Sequence, residues 1–335
     1  MNLAILNEEM LSNLLDMPSV IKTVESVYKQ KSNDASVVWD TIFYDFEPGK
    51  ADMDIKSGFL KDQKIFGHKT VTWFGENTDK GLPTLTGLIC VFDGNTGIPI
   101  GVTEGSYITG MRTGAAAAIG AKYLANPDSQ KALIIGSGNQ LKFQVAALLT
   151  VYPKLKVLEV YDRNTEKAQA AVQSLPEQMG AMGITQVTTQ LKATQELKKS
   201  VETSQIIVTI TPSKIPIIQA DWVKPGTHLS TMGADMAGKQ EIDELIFSKA
   251  VIVTDDLRHS SQVGEMETAL KNKIISIDDI KGEIGDLILN KVTGRQDKDE
   301  VTIFDATGMA LMDIATAKLA IDLSEKNNSG ISVQF

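Results

Sequence analysis

The sequence predicts an α/β protein in which a doubly wound parallel sheet is joined to a smaller α+β domain. Three observations predict it. From Lys131 onward, short apolar runs alternate with helical patterns at the spacing of parallel crossover units. The first of those runs, "ALIIGSGNQLKFQ" (132–144), passes through Gly-Ser-Gly into a helix, as a dinucleotide-binding turn does. Before residue 125 the pattern changes to two amphipathic helices followed by β-rich segments. The expected domains are residues 1–125, completed by a C-terminal helix over 308–330, and residues 126–307.

Taken in order, the helical stretches cover 7–16 and 18–31. "KIFGHKTVTWF" and "LTGLICVF" are strands rich in β-branched and aromatic residues. "DGNTG" (93–97), between "LICVF" and "IPIGVT", has the Asp-Gly chemistry of a hairpin turn. "TGAAAAIGAKYLA" is a helix closing on Asn126-Pro127, and its run of alanines implies close packing against another element. The strands of the second domain are "ALIIG", "KVLEVYD", "QVTTQ", "QIIVTIT", "THLSTMG", "AVIVTD" and "EVTIFD". "TEKAQAAVQSL" and "ATQELKKSV" are helices between the earlier ones. "GMALMDIATAKLAIDL" is a long final helix that can return to the first domain.

A hydrophobic content of 42% and a charged content of 22% are those of a soluble globular protein. The net charge of −9 argues against a nucleic-acid partner, since phosphate binding draws on excess Lys and Arg. Glu8 and Glu9 stand where a signal peptide has its apolar core, and no apolar run approaches the roughly 20 residues of a membrane span. A cytoplasmic protein, with no membrane partner, is the expectation. The single Cys90 excludes an intramolecular disulfide and is expected as a small core residue. His68, His228 and His259 lack metal-ligand spacing, so no metal is expected.

Four stretches carry candidate chemistry. In the glycine turn, Gly136 permits the tight bend and Gly138 lets a pyrophosphate approach the helix N-terminus. Leu141 stands at the third glycine position of the fingerprint. Asp162 closes the next strand at about the distance where an acidic residue meets the adenosine ribose, which favours NAD over NADP. Arg163 beside it could do the opposite, and Asp162 could instead cap the next helix. "GHKTVTWF" puts Lys69 inside an apolar strand, either as a functional cation or snorkelling from an outward face. "TGMRTGAAAA" puts Arg112 and Thr113 at an expected helix start, suited to a carboxylate or phosphate, with a surface ion pair as the alternative. "STMGADMAGKQEID" follows a strand at its carboxyl end, where Asp235 is either catalytic or the cap of a helix starting near Glu241.

Together these stretches resemble the ornithine cyclodeaminase and mu-crystallin family. The markers are "HKTV" (68–71), "GLPTLTGLICVFDGNTGIPIG" (81–101), "ITGMRTGAAAAIGAKYLA" (108–125), "GSGNQLKFQ" (136–144), "YDRN" (161–164), "TITPSKIPI" (209–217), "GADMAGKQEID" (233–243) and "FDATGMALMDIATA" (304–317). The resemblance implies a Rossmann domain holding NAD(H) or NADP(H), and a homodimer whose N-terminal domain binds substrate and forms the dimer contact. It implies that Lys69 and Arg112 meet the substrate carboxylate, Arg112 also lying near cofactor phosphate, and that the catalytic residues are Asp235, as the acid/base residue, and Lys69. Thr84, Thr113, Asn139, Gln140, Asp162, Thr209, Met232, Gly233, Lys239 and Thr307 would line the cofactor, beside Gly136, Gly138 and Arg163. The family tolerates a residue other than glycine at the Leu141 position, usually a small one.

One departure stands out. The family's cyclodeaminases carry a further substrate-binding Arg in the first β-rich segment, whereas "SVVWDTIFYDFEPGKADMDIKSG" has only Lys50 and Lys56 as cations. Lys56 is the candidate replacement, without the bidentate fork of an Arg. The resemblance implies hydride abstraction at the Cα–NH2 of a small L-amino acid, then cyclisation with loss of ammonia. The same geometry serves an amino-acid dehydrogenase of the alanine type or a cyclic ketimine reductase. A dinucleotide-binding protein without turnover is the alternative of another class.

Overall fold

The computed structural model describes residues 2–334. In chain order the first elements are β1 (Asn2–Leu6), α1 (Glu8–Leu14), α2 (Met17–Ser32), β2 (Ser36–Val38), β3 (Ile42–Glu47), β4 (Ala51–Leu60), β5 (Ile65–Phe74), β6 (Leu85–Asp93), β7 (Pro99–Glu104) and α3 (Gly105–Leu124). There follow β8 (Lys131–Ile135), α4 (Leu141–Val151), β9 (Val157–Tyr161), α5 (Thr165–Gly180), β10 (Gln190–Thr194), α6 (Leu197–Thr203), β11 (Ile206–Thr209), β12 (Lys214–Ile218), β13 (His228–Thr231) and β14 (Gln240–Ile242). The chain ends with β15 (Ala250–Thr254), α7 (Leu257–Val263), α8 (Glu267–Lys271), β16 (Ile280–Glu283), α9 (Ile284–Ile288), β17 (Val301–Asp305), α10 (Ala310–Lys326) and β18 (Ile331–Gln334). Two compact units result: one runs to Arg112 and resumes at Met309, and the other is Thr113–Gly308.

The first unit is a mixed sheet in the order β18-β1-β7-β6-β5-β4-β2, with β3 also paired to β4. Among the described residues only β1 and β7 pair in parallel in this sheet. The β6–β7 hairpin forms as its sequence predicts: the Asp93 carboxylate accepts from the Asn95 and Thr96 amides and the Thr96 hydroxyl at 2.8–2.9 Å. Helix α10 packs on β4 to β7 and on α2. Leu311, Ile314 and Ile321 are fully buried there, each contributing about 1.5–3 kcal/mol of apolar burial. Strand β3 is exposed along its whole length, with Ile42, Phe43, Tyr44 and Phe46 all more than half exposed. Within "LICVF", by contrast, Ile89 and Val91 are buried and Leu88 alone is strongly exposed.

The second unit is a parallel sheet in the order β10-β9-β8-β11-β13-β17-β15-β16, the Rossmann-type doubly wound arrangement. The order reverses between β8 and β11, and the crevice outside their carboxyl ends is the usual ligand position. The apolar runs of β8, β11 and β13 are buried on both faces, as all-parallel strands are. The alanine-rich half of α3 belongs to this unit: Gly120 lies so close to Phe304 of β17 that a Cβ there would sit 2.3 Å from its ring.

Four expectations need correction. Helix α3 begins at Gly105, two turns before Arg112, because the Glu104 carboxylate receives the Ser106 and Tyr107 amides at 2.5 and 2.8 Å and so caps it. Arg112 and Thr113 are therefore mid-helix residues, and the units divide inside α3. "QVTTQ" is not the strand: β10 starts at Gln190, in register with Val157 of β9, and Thr189 anchors the entry by donating to Leu155 O at 2.7 Å. The helix expected over 193–201 begins at Leu197, since Ala193 and Thr194 are in β10. Cys90 is half-buried beside Phe92 rather than in the core, and burial pushes its thiol up.

Candidate active site

In the first unit the cations converge. Lys69 lies in β5 directly opposite Lys56 of β4 and Ile89 of β6, so the three side chains share one face. That face is the one α10 covers, as the approach of Ile314 to Gly67 shows. Lys69 is 4% exposed, so it does not snorkel outward. Its ammonium lies 3.1 Å from the Asp313 carboxylate of α10 and 3.3 Å from the Thr109 hydroxyl. Arg112 donates from Nε to the other oxygen of Asp313 at 3.1 Å. The Arg112 pair is thus buried, not a surface pair.

Burial pushes the Lys69 ammonium down to about 8, Arg112 and Lys56 push the same way, and Asp313 opposes them. Burial alone would raise the Asp313 carboxyl, but Arg112 and Lys69 together hold it below its usual value. Asp313 and Thr109 were not among the residues singled out from sequence. The available signal was an acidic residue within the apolar "ALMDIATA" of a buried helix. Asp54 lies on the same face, two positions along β4 from Lys56, and its buried Oδ1 has no hydrogen-bond partner. Thr84 stands apart from this cluster, before β6, its carbonyl accepting from the Phe74 amide at 2.8 Å. Lys50 pairs with Glu47 at the far end of β4.

In the second unit the glycine turn is built as a dinucleotide turn requires. Gly136 has φ +115°, and a Cβ there would meet Ile210 O at 2.9 Å. A Cβ on Gly138 would meet nothing within 4 Å, so open space lies over that amide where a pyrophosphate would approach. Asn139 is exposed and Gln140 half-buried at the start of α4, with the Gln140 Oε1 lacking a partner. Leu141 is buried without displacing the helix from the core. Asp162 does not cap α5, since Asn164 does. Its carboxylate accepts from the Ser137 amide and hydroxyl at 3.0 and 2.6 Å and from the Asn164 amide at 2.9 Å. Partial burial would raise it, but those bonds and Lys167 hold it below its usual value. Arg163 is exposed beside it.

Thr209, Met232 and Gly233 come together at the carboxyl ends of β11 and β13, where the Met232 amide donates to Thr209 O at 2.9 Å. The Thr209 side chain is fully buried and donates to Glu241 at 2.6 Å. Thr307 is held through its amide by Asp255 at 3.1 Å, with His259 Nδ1 2.8 Å from its hydroxyl. Thr113 is buried in α3. Asp235 lies in the loop after β13, about half exposed, and pairs with Lys239 at 2.5 Å. The helix-cap alternative for Asp235 is removed: residues 240–242 form strand β14, and the short 3-10 helix beyond it, Glu244–Lys249, is capped by Asp243. His228 is a buried neutral residue between Thr302 and Ser230, pushed down to about 3 chiefly by burial. Among the described residues no His, Cys, Asp or Glu cluster could hold a metal, and no helix is long and apolar enough to cross a membrane.

The chain is 33% identical over 338 residues to an alanine dehydrogenase of Archaeoglobus fulgidus, covering 100% of this chain and 99% of that protein. Among solved structures, an archaeal alanine dehydrogenase dimer with bound NAD superposes with TM-score 0.91 at 32% identity over the whole of both chains. The Thermococcus litoralis Δ1-pyrroline-2-carboxylate reductase, in complex with NADH and L-proline, gives 0.91 at 28% identity over 99% of this chain and 100% of that one. Residues 4–328 match the ornithine cyclodeaminase/mu-crystallin family, to which this chain belongs.

Proposed function

We propose that this chain is an NAD(H)-dependent oxidoreductase that interconverts a small 2-imino acid and its L-amino acid. The cation cluster carries the reading. Lys69 and Arg112 share one buried carboxylate partner, Asp313, and Lys56 stands opposite Lys69 on the same face, which leaves an excess of positive charge suited to a substrate carboxylate. The similarity to proteins named alanine dehydrogenase and Δ1-pyrroline-2-carboxylate reductase supports the same chemistry.

The glycine turn fits a dinucleotide: Gly138 leaves room over the helix N-terminus, and Asp162 retains acceptor capacity for ribose hydroxyls. When bound, the nicotinamide supplies the hydride exchange at Cα. The chain's own residues do the rest. Lys69 and Arg112 hold the carboxylate, and Lys56 takes the place of the family's further Arg. Asp235 exchanges the proton at the substrate nitrogen. NAD(H) is preferred over NADP(H), because Asp162 repels a 2′-phosphate. The exposed apolar strand β3 is the surface for a second copy of the chain.

A second reading, cyclodeamination of a diamino acid, is favoured by Asp54, whose buried, unpartnered Oδ1 could seat a distal ammonium. One screen separates the readings. Pyruvate with ammonium, Δ1-pyrroline-2-carboxylate, ornithine and lysine are each offered with the appropriate oxidised or reduced cofactor, and both cofactor absorbance and free ammonia are recorded. Net cofactor oxidation with an imino acid supports the first reading. Ammonia release from ornithine or lysine without net cofactor change supports the second. Tight NADH binding with no turnover of any of them refutes both and leaves a binding protein.

A further inference from the structure

Glu241 is a buried carboxylate for which the proposed chemistry has no use, and its surroundings suggest one. Its two oxygens accept the Thr209 hydroxyl at 2.6 Å, the Thr211 amide at 2.6 Å, the Thr211 hydroxyl at 2.7 Å and the Gly233 amide at 2.9 Å. Three of these donors belong to the carboxyl end of β11. The fourth opens the loop that leads, two residues later, to Asp235. All four are neutral donors, and the carboxylate is fully buried. Only an acceptor-only group can receive four donors at once; an amide would turn two N–H bonds toward two of them. A buried charge held this way is costly compared with an apolar residue of the same size, so its presence points to a geometrical role.

A second observation points the same way. A Cβ on Gly233 would lie 2.2 Å from Thr211 O and 2.5 Å from Glu241 Oε2, so the loop backbone is pressed onto the carboxylate. The strand bearing Glu241 is fixed in turn by Glu265, whose Oε1 accepts the Glu241 and Ile242 amides at 2.6 and 2.7 Å. Farther along the loop, the Gly238 amide donates to Glu267 at 2.9 Å.

We propose that Glu241 is a positioning residue for Asp235: it ties the loop after β13 to the end of β11 and so sets where the Asp235 carboxylate stands. The inference rests on the assignment of Asp235 as the acid/base residue. Its physical content is a bond network that shortens the free length of the loop to the residues between Gly233 and Gly238. Small misplacements of a catalytic group cost about a hundredfold in rate, so the network acts on turnover through Asp235 without touching substrate.

The test has two arms. Hydrogen exchange is followed at the amides of 233–238 in the native protein and in Glu241→Gln, each with and without NADH. Exchange there should quicken about tenfold or more in the variant, while amides of β8 and β9 keep their protection; unchanged exchange overturns the proposal. In the second arm, kcat, KM and NADH affinity with Δ1-pyrroline-2-carboxylate, or with pyruvate and ammonium, are compared for Glu241→Gln, Asp235→Asn and the double variant. Glu241→Gln should lower kcat about tenfold to a hundredfold with NADH affinity within a few-fold, and the double variant should be no worse than Asp235→Asn. Additive losses overturn the proposal. If Asp235→Asn retains native turnover, the acid/base assignment has failed, and the exchange arm still decides whether Glu241 holds the loop. Should Glu241→Gln not fold, Thr211→Val removes one donor only and should show the same exchange pattern at smaller amplitude; its absence there is equally decisive.

Discussion

Replacing Asp313 by Asn probes the cation cluster most directly. The Asp313 carboxylate stands 3.1 Å from both the Lys69 ammonium and the Arg112 Nε, and it is fully buried. At that separation and an effective dielectric near 20, each attraction is about 5 kcal/mol before desolvation is subtracted. Asn keeps the shape but leaves two buried cations uncompensated, and breaking a buried pair in this way costs about 3–5 kcal/mol. There is a second consequence. Lys69 sits at about 8 because burial, Arg112 and Lys56 outweigh Asp313. Without Asp313 nothing opposes them, and the ammonium discharges at lower pH. In the native protein, affinity for a carboxylate substrate should therefore fall as pH rises through about 8. In Asp313→Asn the same fall should begin at least about one pH unit lower, a unit being worth about 1.4 kcal/mol. The assays are urea unfolding at neutral pH and KM for Δ1-pyrroline-2-carboxylate across the alkaline range. Stability within about 1 kcal/mol of native, well below the range for a broken buried pair, together with an unmoved KM profile, would refute the account of the cluster.

Four further outcomes are expected. Asp235→Asn should lose about a hundredfold to ten-thousandfold in turnover while still binding NADH, as removal of a general acid–base group does; near-native turnover would show that Asp235 has no proton to move. Calorimetry should find NADH bound more tightly than NADPH, with Asp162→Ser narrowing the gap; tighter NADPH binding by the native protein would point to Arg163 as the reader. Light scattering should give a dimer or a multiple of one, and Phe43→Asp on the exposed strand β3 should dissociate it; a native monomer contradicts the reading of that surface. Asp305 is pushed up to about 7, chiefly by burial, with Asp255 adding to it. A carboxyl raised in the fold stabilises it below its unfolded value near 4, and that stability is lost as pH rises to about 7. The shift is worth on the order of 4 kcal/mol, so native unfolding free energy should fall between about pH 4 and about pH 7 more steeply than that of Asp305→Asn. Parallel profiles for the two would exclude the titration of Asp305.

What the sequence determined by itself was local. The strand, Gly-Ser-Gly turn and helix from Lys131 to Val151, with Asp162 at the end of the next strand, form one contiguous crossover unit. Its signals, a left-handed glycine and a strand-end acid, need no distant partner to be recognised. The hairpin at Asp93–Gly97 was legible for the same reason, since the Asp93 side chain bonds its own turn. Tertiary structure decided the rest. Arg112 and Asp313 are 201 residues apart, and only the return of α10 to the first unit makes the acid the common partner of Arg112 and Lys69. Lys56 is level with Lys69 because of the β4–β5 register, which a one-residue slip would have turned to the other face. The start of α3 was decided by Glu104 and by burial, against the weak helix propensity of its glycines and β-branched residues. Strand β10 formed where β9 offered partners, not where β-branched residues cluster. Glu241 took its place from donors 30 and 32 residues away, on a neighbouring strand end. Propensity and spacing act along the chain; a buried charge is defined by whatever the fold brings around it.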